Sequence, residues 1–243
     1  MASVGLRFCG LRALYLRPFV SSLRGVSPAT LGGMRRYSMP RQVHFALNEY
    51  GLLSAYVPVP WRYRPSIFTW AGLESTKTYV VESLREVFSY ATMMYHLSGW
   101  RKRAFATQAE VMCEAMNEAF GEGDIKTLSS VCSPSMAASL KNDIKRRRSV
   151  VDWRKVRSVT APRVVQIRCG RLATNLTVGQ VIVRVDQEQI VAPIALGHQS
   201  LPSPVRVTEY VVFQRVVSDP TSPWRIFCKI PVPKWDPACS KAR

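Results

Sequence analysis

EVMCEAMNEAFGEGDIKTLSSVCS, Glu110 to Ser133, reads as a helix, a glycine-containing turn and a second short helix. Phe105, Ala109, Met112, Met116 and Phe120 recur at helical spacing and draw one apolar stripe. Glu110, Glu114 and Glu118 step by four along another face, which places them in solvent or against a basic partner. Gly121 and Gly123 are expected to stop the helix, because glycine accepts the left-handed cap conformation. Asp124 then has the side chain to cap the next helix.

Downstream, Ser133-Pro134 is a second helix start, with serine as N-cap and proline at the first helical position. Met136, Leu140 and Ile144 form its buried side. Lys141, Lys145, Arg146, Arg147 and Arg148 form the densest positive cluster in the chain. Cations in a last helical turn also suit the negative end of the helix dipole, so the cluster has both a structural and an anion-binding reading. After Asp152 the period changes. Segments 163–169, 180–186, 205–217 and 224–230 are rich in Val, Ile and aromatics, with turn residues between them. In the third, Val207, Glu209, Val211, Phe213 and Arg215 share one face, and Thr208, Tyr210, Val212, Gln214 and Val216 the other. Helices followed by an antiparallel sheet give an α+β fold, with the helices on one face.

Upstream, residues 73–98 show a helical period in Val80, Leu84, Val87, Ala91, Met94 and Leu97. Trp100-Arg101-Lys102-Arg103 joins that helix to the next. Residues 38–72 differ in kind. Pro40, Pro58, Pro60 and Pro65 break any long helix, and Tyr56, Trp61, Arg62, Tyr63, Arg64, Phe68 and Trp70 lie around them. Alternating aromatic and cationic groups on an extended arm can stack on unpaired bases, or can pack the arm over the protein's own surface.

The first 48 residues contain no Asp or Glu, and up to Ser38 the basic residues are Arg7, Arg12, Arg17, Arg24, Arg35 and Arg36. An amphipathic, arginine-rich, acid-free segment of this kind is expected to be a mitochondrial transit peptide, cleaved after Tyr37 in the sequence Arg35-Arg36-Tyr37-Ser38. Its alternative is a basic arm retained in the mature protein. The expected organisation is a transit peptide at 1–37, an arm at 38–72, an α+β domain at 73–233 and a tail at 234–243.

With 34 Lys and Arg against 16 Asp and Glu, the 243-residue chain carries a formal charge of +18. Losing the six transit-peptide arginines leaves 28 against 16, or +12. Such an excess favours a polyanion, either nucleic acid or an anionic membrane surface. The cysteines at 9, 113, 132, 169, 228 and 239 contain no CxxC pair and no metal-ligand spacing with histidine, so they read as free thiols; no metal or cofactor is expected. With no run of 18 apolar residues, membrane contact would be peripheral. Candidates for catalysis are thin: His44, His96 and His198 are scattered, Asp143 and Asp152 border basic residues, and Tyr210 lies in a strand. No hydrolase, zincin, P-loop or dinucleotide fingerprint is present. The reading is therefore of a non-enzyme without a small-molecule substrate.

Three stretches together resemble the TIM-forty-four-like domain. EAMNEAFGEGDIKTLSSVCSPSMAASLKNDIKRR is similar to its helical half, and VTEYVVFQR and SPWRIF to its last two strands. RVVQIR and QVIVRVD fit its earlier strands, so the resemblance covers roughly residues 100 to 230. It implies helices packed on a curved, cone-like antiparallel sheet. Among the family's branches the chain looks most similar to the one at the polypeptide exit of the mitochondrial large ribosomal subunit and its membrane-docking relative. That implies partners in large-subunit rRNA, neighbouring ribosomal proteins and, peripherally, the inner-membrane surface or an insertase. The alternative branch, a tether of the protein import motor, is expected to carry a longer charged helical region before its domain. From local charge, the expected RNA contacts are Lys141, Lys145, Arg146, Arg147 and Arg148, then Arg101, Lys102 and Arg103, then Trp61, Arg62 and Arg64.

Overall fold

The computed structural model describes residues 51–147, 150–193 and 203–237. Four helices, α1 (Trp70–His96), α2 (Lys102–Glu122), α3 (Ile125–Val131) and α4 (Pro134–Arg146), precede four strands. These are β1 (Val151–Ala173), β2 (Leu176–Pro193), β3 (Val205–Val216) and β4 (Arg225–Ile230), paired antiparallel in the order β1-β2-β3-β4. The α+β expectation holds, and the helical layer begins and ends where local chemistry sets it. The Asp124 carboxylate accepts from the amides of Lys126 (2.9 Å) and Thr127 (3.3 Å), and Ser133 Oγ accepts from the Met136 amide. Gly123, at φ 85°, terminates α2.

Gly121 has a different role from the helix stop expected of it. It lies inside α2, and a Cβ there would stand 2.6 Å from the Val151 carbonyl oxygen. The missing side chain lets the helix lie directly on β1. At the other end of α2, Phe105 meets Phe213 edge-on at 5.7 Å and Trp224 at 4.5 Å. Between these ends Ala109, Cys113 and Met116 pack with Ile167, Val181, Val183, Val211 and Ile226 in the main core. The Ser133 amide donates to the Ile226 carbonyl at 2.8 Å, which ties the start of α4 to β4.

The acidic face of α2 finds its basic partner within the chain. Lys155 Nζ on β1 donates to Glu110 at 2.8 Å and also to Glu114, and Ser158 Oγ donates to Glu110. Burial alone would lower the lysine's pKa, but the two carboxylates outweigh it and hold the amine above its ordinary value. Glu118 remains exposed.

The first strand is longer than the sequence signals. Residues 151–162 are extended although they read as a charged link, because β1 is an edge strand and only half of it faces the core. Pro162 is tolerated there, within one of five register irregularities that bend the strand. Gly170 and Gly179 sit inside β1 and β2, and the turn falls at Thr174-Asn175.

Both faces of the sheet are covered, and the β3 alternation shows how. Val211 and Phe213 point to the helices, whereas Tyr210 and Val212 belong to a second core with Val57, Ile182 and Phe227. That second face is closed by residues of the arm and by the segment after β4, including Val232 and Trp235. Polar groups anchor both coverings. Gln180 holds the arm, accepting from the Leu53 amide (2.8 Å) and donating to the Gly51 carbonyl (3.0 Å). Asp236 accepts from Arg184 Nε (3.1 Å) and from the Tyr210 hydroxyl (2.6 Å).

Asp186 joins three strands. It accepts from Arg206 at 2.9 and 2.6 Å, from Thr208 and from Thr160, with its side chain fully buried. Burial opposes its ionisation, yet Arg206 and Arg184 beside it hold the carboxyl below its ordinary pKa. A carboxyl depressed in this way stabilises the fold above its ordinary pKa and loses that contribution as pH falls through the native value. In urea unfolding, Asp186→Asn is expected to cost roughly 3 kcal/mol at neutral pH. The gap to wild type should close in acid. A gap unchanged between neutral and strongly acidic pH would contradict this account.

Candidate nucleic-acid interface

The cations expected to meet RNA fall into three groups, and the fold uses some of them internally. On α4 the inward positions are Met136, Leu140 and Ile144, so Lys141, Lys145 and Arg146 project outward and are exposed. None of these three makes an ion pair among the described residues. Arg147 turns back instead. Its Nη1 donates to the Phe120 carbonyl at 2.6 Å, and its guanidinium lies 5.4 Å from the Phe120 ring centroid. That carbonyl is in the last turn of α2, where no amide of the same helix reaches it. Arg147 is thus a cap for α2, and Arg148 lies outside the described residues.

The second group lies at the other end of α2, about 30 Å away at 1.5 Å per residue. Lys102 is paired with Glu86 at 2.8 Å and lies 5.1 Å from the Tyr90 ring centroid, stapling α2 to α1. Arg101 and Arg103 are exposed. Three cations at the positive end of a helix dipole are not there to compensate it. In the third group Trp61 is 73% exposed and Arg62 is also exposed. Arg64 is half-buried, 3.6 Å from the Tyr79 ring centroid, with its Nε donating to the Val59 carbonyl. Of the arm's two readings, Arg64 follows the packing one.

The structure therefore leaves Lys141, Lys145 and Arg146 on α4, Arg101 and Arg103 at the start of α2, and Trp61 and Arg62 in the arm to solvent. A salt-sensitive contact with phosphates needs no more than this, since each exposed cation displaces counterions on its own.

The first helix departs most from an ordinary surface helix. It begins at Trp70, and the face expected from Val80, Leu84 and Val87 points outward. Trp70, Leu73, Val80, Val81, Leu84, Val87, Phe88 and Tyr95 are all exposed, Phe88 to 73% and Tyr95 to 85%. The side turned to β1 is more polar. Glu82 pairs with Arg168, and Cys169 Sγ donates to the Ser89 carbonyl at 3.2 Å. The apolar period of this segment was readable in the sequence, but the side it would face was not.

Groups suited to catalysis are not brought together among the described residues. His96 and Cys169 border an open cleft of about 610 Å³, but burial pushes the thiol up to about 12, so it is not a thiolate at neutral pH. Burial likewise pushes Cys132 up to about 12 and Cys228 to about 11. Tyr210 lies on the sheet face away from the helices, bound to Asp236. His44 and His198 lie outside the described residues, as do the expected transit peptide and its cleavage site. No helix among the described residues is long and apolar enough to cross a membrane.

The order of these elements can be set against known families. The model of the Tim44-like domain, the TIM-forty-four-like family of the resemblance above, matches residues 89–229. The chain belongs to the Tim44-like domain family. Among similar proteins, large ribosomal subunit protein mL45 of Bos taurus is 28% identical over 207 residues, 82% of this chain and 66% of that protein. Proteins of the same name from Xenopus tropicalis and Drosophila melanogaster are 26% and 25% identical, covering 82% and 88% of this chain and 65% and 58% of theirs. The chain thus spans less than two thirds of the length of these relatives. A solved structure, the intermembrane space region of chloroplast protein ARC6, aligns with a TM-score of 0.34 at 14% identity over 51% of this chain and 93% of that one. That likeness is too slight to bear on function.

The division of labour among the α4 cations is measurable. Arg147→Ala should lower stability to urea by about 1.5–3 kcal/mol, because it removes a charged donor from a carbonyl left without another partner. Lys141→Ala, Lys145→Ala and Arg146→Ala should each stay within about 0.5 kcal/mol of wild type. Equal losses at all four positions would mean that the exposed three also serve the fold.

Proposed function

We propose that this protein is a structural, non-catalytic component of the mitochondrial large ribosomal subunit near the polypeptide exit, binding rRNA and helping to hold the ribosome at the inner membrane. The observation that carries the reading is the similarity to proteins named large ribosomal subunit protein mL45, joined to a chain of +18. Under it, the segment 1–37 directs import, and the protein works on the matrix side of the inner membrane, peripherally. Lys141, Lys145, Arg146, Arg101 and Arg103 neutralise rRNA phosphates without reading sequence. Neighbouring ribosomal proteins and an insertase complete the surroundings.

Support for the membrane part comes from α1. A helix of 27 residues with aromatic and aliphatic groups along its outer face, and Lys77 and Arg85 among or beside them, has the make-up of an interfacial helix.

Sedimentation of detergent-solubilised mitochondria through sucrose, at low and then high salt, tests the ribosomal part. Comigration with the large subunit at low salt is expected, and absence from ribosomal fractions would sink the reading in favour of an import-motor tether. Persistence at high salt marks an integral subunit, and release marks a receptor held by phosphate contacts. For the membrane part, the full chain should float with vesicles containing anionic phospholipid. Leu84→Asp and Phe88→Asp, at exposed positions, should each weaken flotation about tenfold or more through the lost apolar contact. Flotation unchanged in both variants would exclude α1 as the lipid-facing element.

A further inference from the structure

The second sheet face carries a cleft that phosphate contact does not explain. It has a volume of about 400 Å³, within the range of small-ligand sites of roughly 300–1,000 Å³. One wall is aromatic: the rings of Tyr63 and Trp235 lie 6.2 Å apart with their planes 28° from parallel, beside Pro60. Arg163, Arg184 and Thr160 add polar groups to the lining.

The aromatic residues are tied to the fold beside them. Tyr63 closes a short 3-10 turn, its amide donating to the Pro60 carbonyl at 3.0 Å. Trp235 precedes Asp236, whose carboxylate is held by Arg184 and Tyr210 and whose amide donates to the Pro233 carbonyl at 2.9 Å. Arg184 is thereby committed to the floor. Arg163 is not: it is exposed, and its guanidinium makes no ion pair or hydrogen bond among the described residues. Tyr63 is half exposed, so its ring is available to a flat ligand.

Aromatic rings and a free cation lining one cleft are the combination by which proteins hold single-stranded nucleic acid, the ring taking a base and the cation the adjoining phosphate. We infer that this cleft receives one unpaired nucleotide of RNA, its base against Tyr63 and Trp235 and its phosphate at Arg163. The inference rests on the proposed rRNA-binding role and adds to it a contact that depends on the base being unstacked. It singles out Arg163 and Trp235, which the sequence pattern alone does not, and gives Tyr63 a task beyond packing the arm.

The test uses the purified full chain and three labelled RNAs of equal length, read by fluorescence anisotropy at low salt: a single strand, the same strand with abasic nucleotides, and a blunt duplex. The abasic strand keeps the phosphates and removes the bases. Wild type should bind the intact strand at least about fivefold more tightly than the abasic one, the lower end of what one stacked base contributes. Tyr63→Ala should abolish that difference and leave duplex binding unchanged. Arg163→Ala should weaken both single strands and lower their salt dependence by the equivalent of about one phosphate contact.

Equal binding of intact and abasic strands by wild type would overturn the inference, as would a Tyr63→Ala variant that keeps the difference. So would a loss in Tyr63→Ala that is the same for all three RNAs, since that reports a disturbed arm. If these fail while the protein still comigrates with the large subunit, only the cleft is refuted. If neither RNA binding nor comigration is seen, the proposed function fails with it.

Discussion

α2 lies directly on the sheet, and the remaining elements are placed relative to it. Contact is possible at its C-terminal end because Gly121 leaves room for the Val151 carbonyl, and at its N-terminal end because Phe105 fits against Phe213 and Trp224. Helix and sheet must then approach closely along the whole length, which selects Ala109, Cys113 and Ala119 for the intervening positions. Lys155 fixes the lateral position by bridging to two carboxylates one turn apart. With α2 fixed, α3 and α4 have only short connections in which to turn back, and Arg147 closes the circuit on the α2 carboxyl end.

The other side of the sheet is organised on a different principle. There the covering is thin and comes from extended segments at either end of the described chain, which cannot supply a helix's worth of apolar surface. Polar anchors compensate: Gln180 for the arm, Asp236 for the segment after β4, and Asp186 between the strands themselves. Buried polar groups of this sort hold a geometry more than they add stability, since each must be matched or it costs several kcal/mol. This leaves a back face held by hydrogen bonds, with the Tyr63–Trp235 pair beside it.

How far the sequence revealed these arrangements follows from what sets each one. Helix ends at Asp124, Ser133 and Gly123 depend on neighbouring residues and were legible. The alternation of β3 was legible in period, although that both of its faces are covered depends on segments distant in sequence. The first half of β1 was hidden because an edge strand with one exposed face carries charges where a central strand carries valines. Among the candidate contacts, sequence located the cations but could not tell a solvent-facing one from one already occupied. Lys102 has Glu86, Arg147 has a carbonyl, and Arg64 has a tyrosine ring, each from another element. The inversion of α1 was out of reach for the same reason: amphipathicity gives a direction on the helix, and only tertiary structure says which way it points.

That inversion has a bearing on the life of the protein in a cell. A chain with a row of Trp, Leu, Val, Phe and Tyr side chains on its outside displays, for as long as nothing covers them, the same kind of surface as a misfolded one. Chaperones and proteases that survey for exposed apolar segments would therefore remove surplus copies without any dedicated signal. Whatever covers this face would then also set how many copies persist.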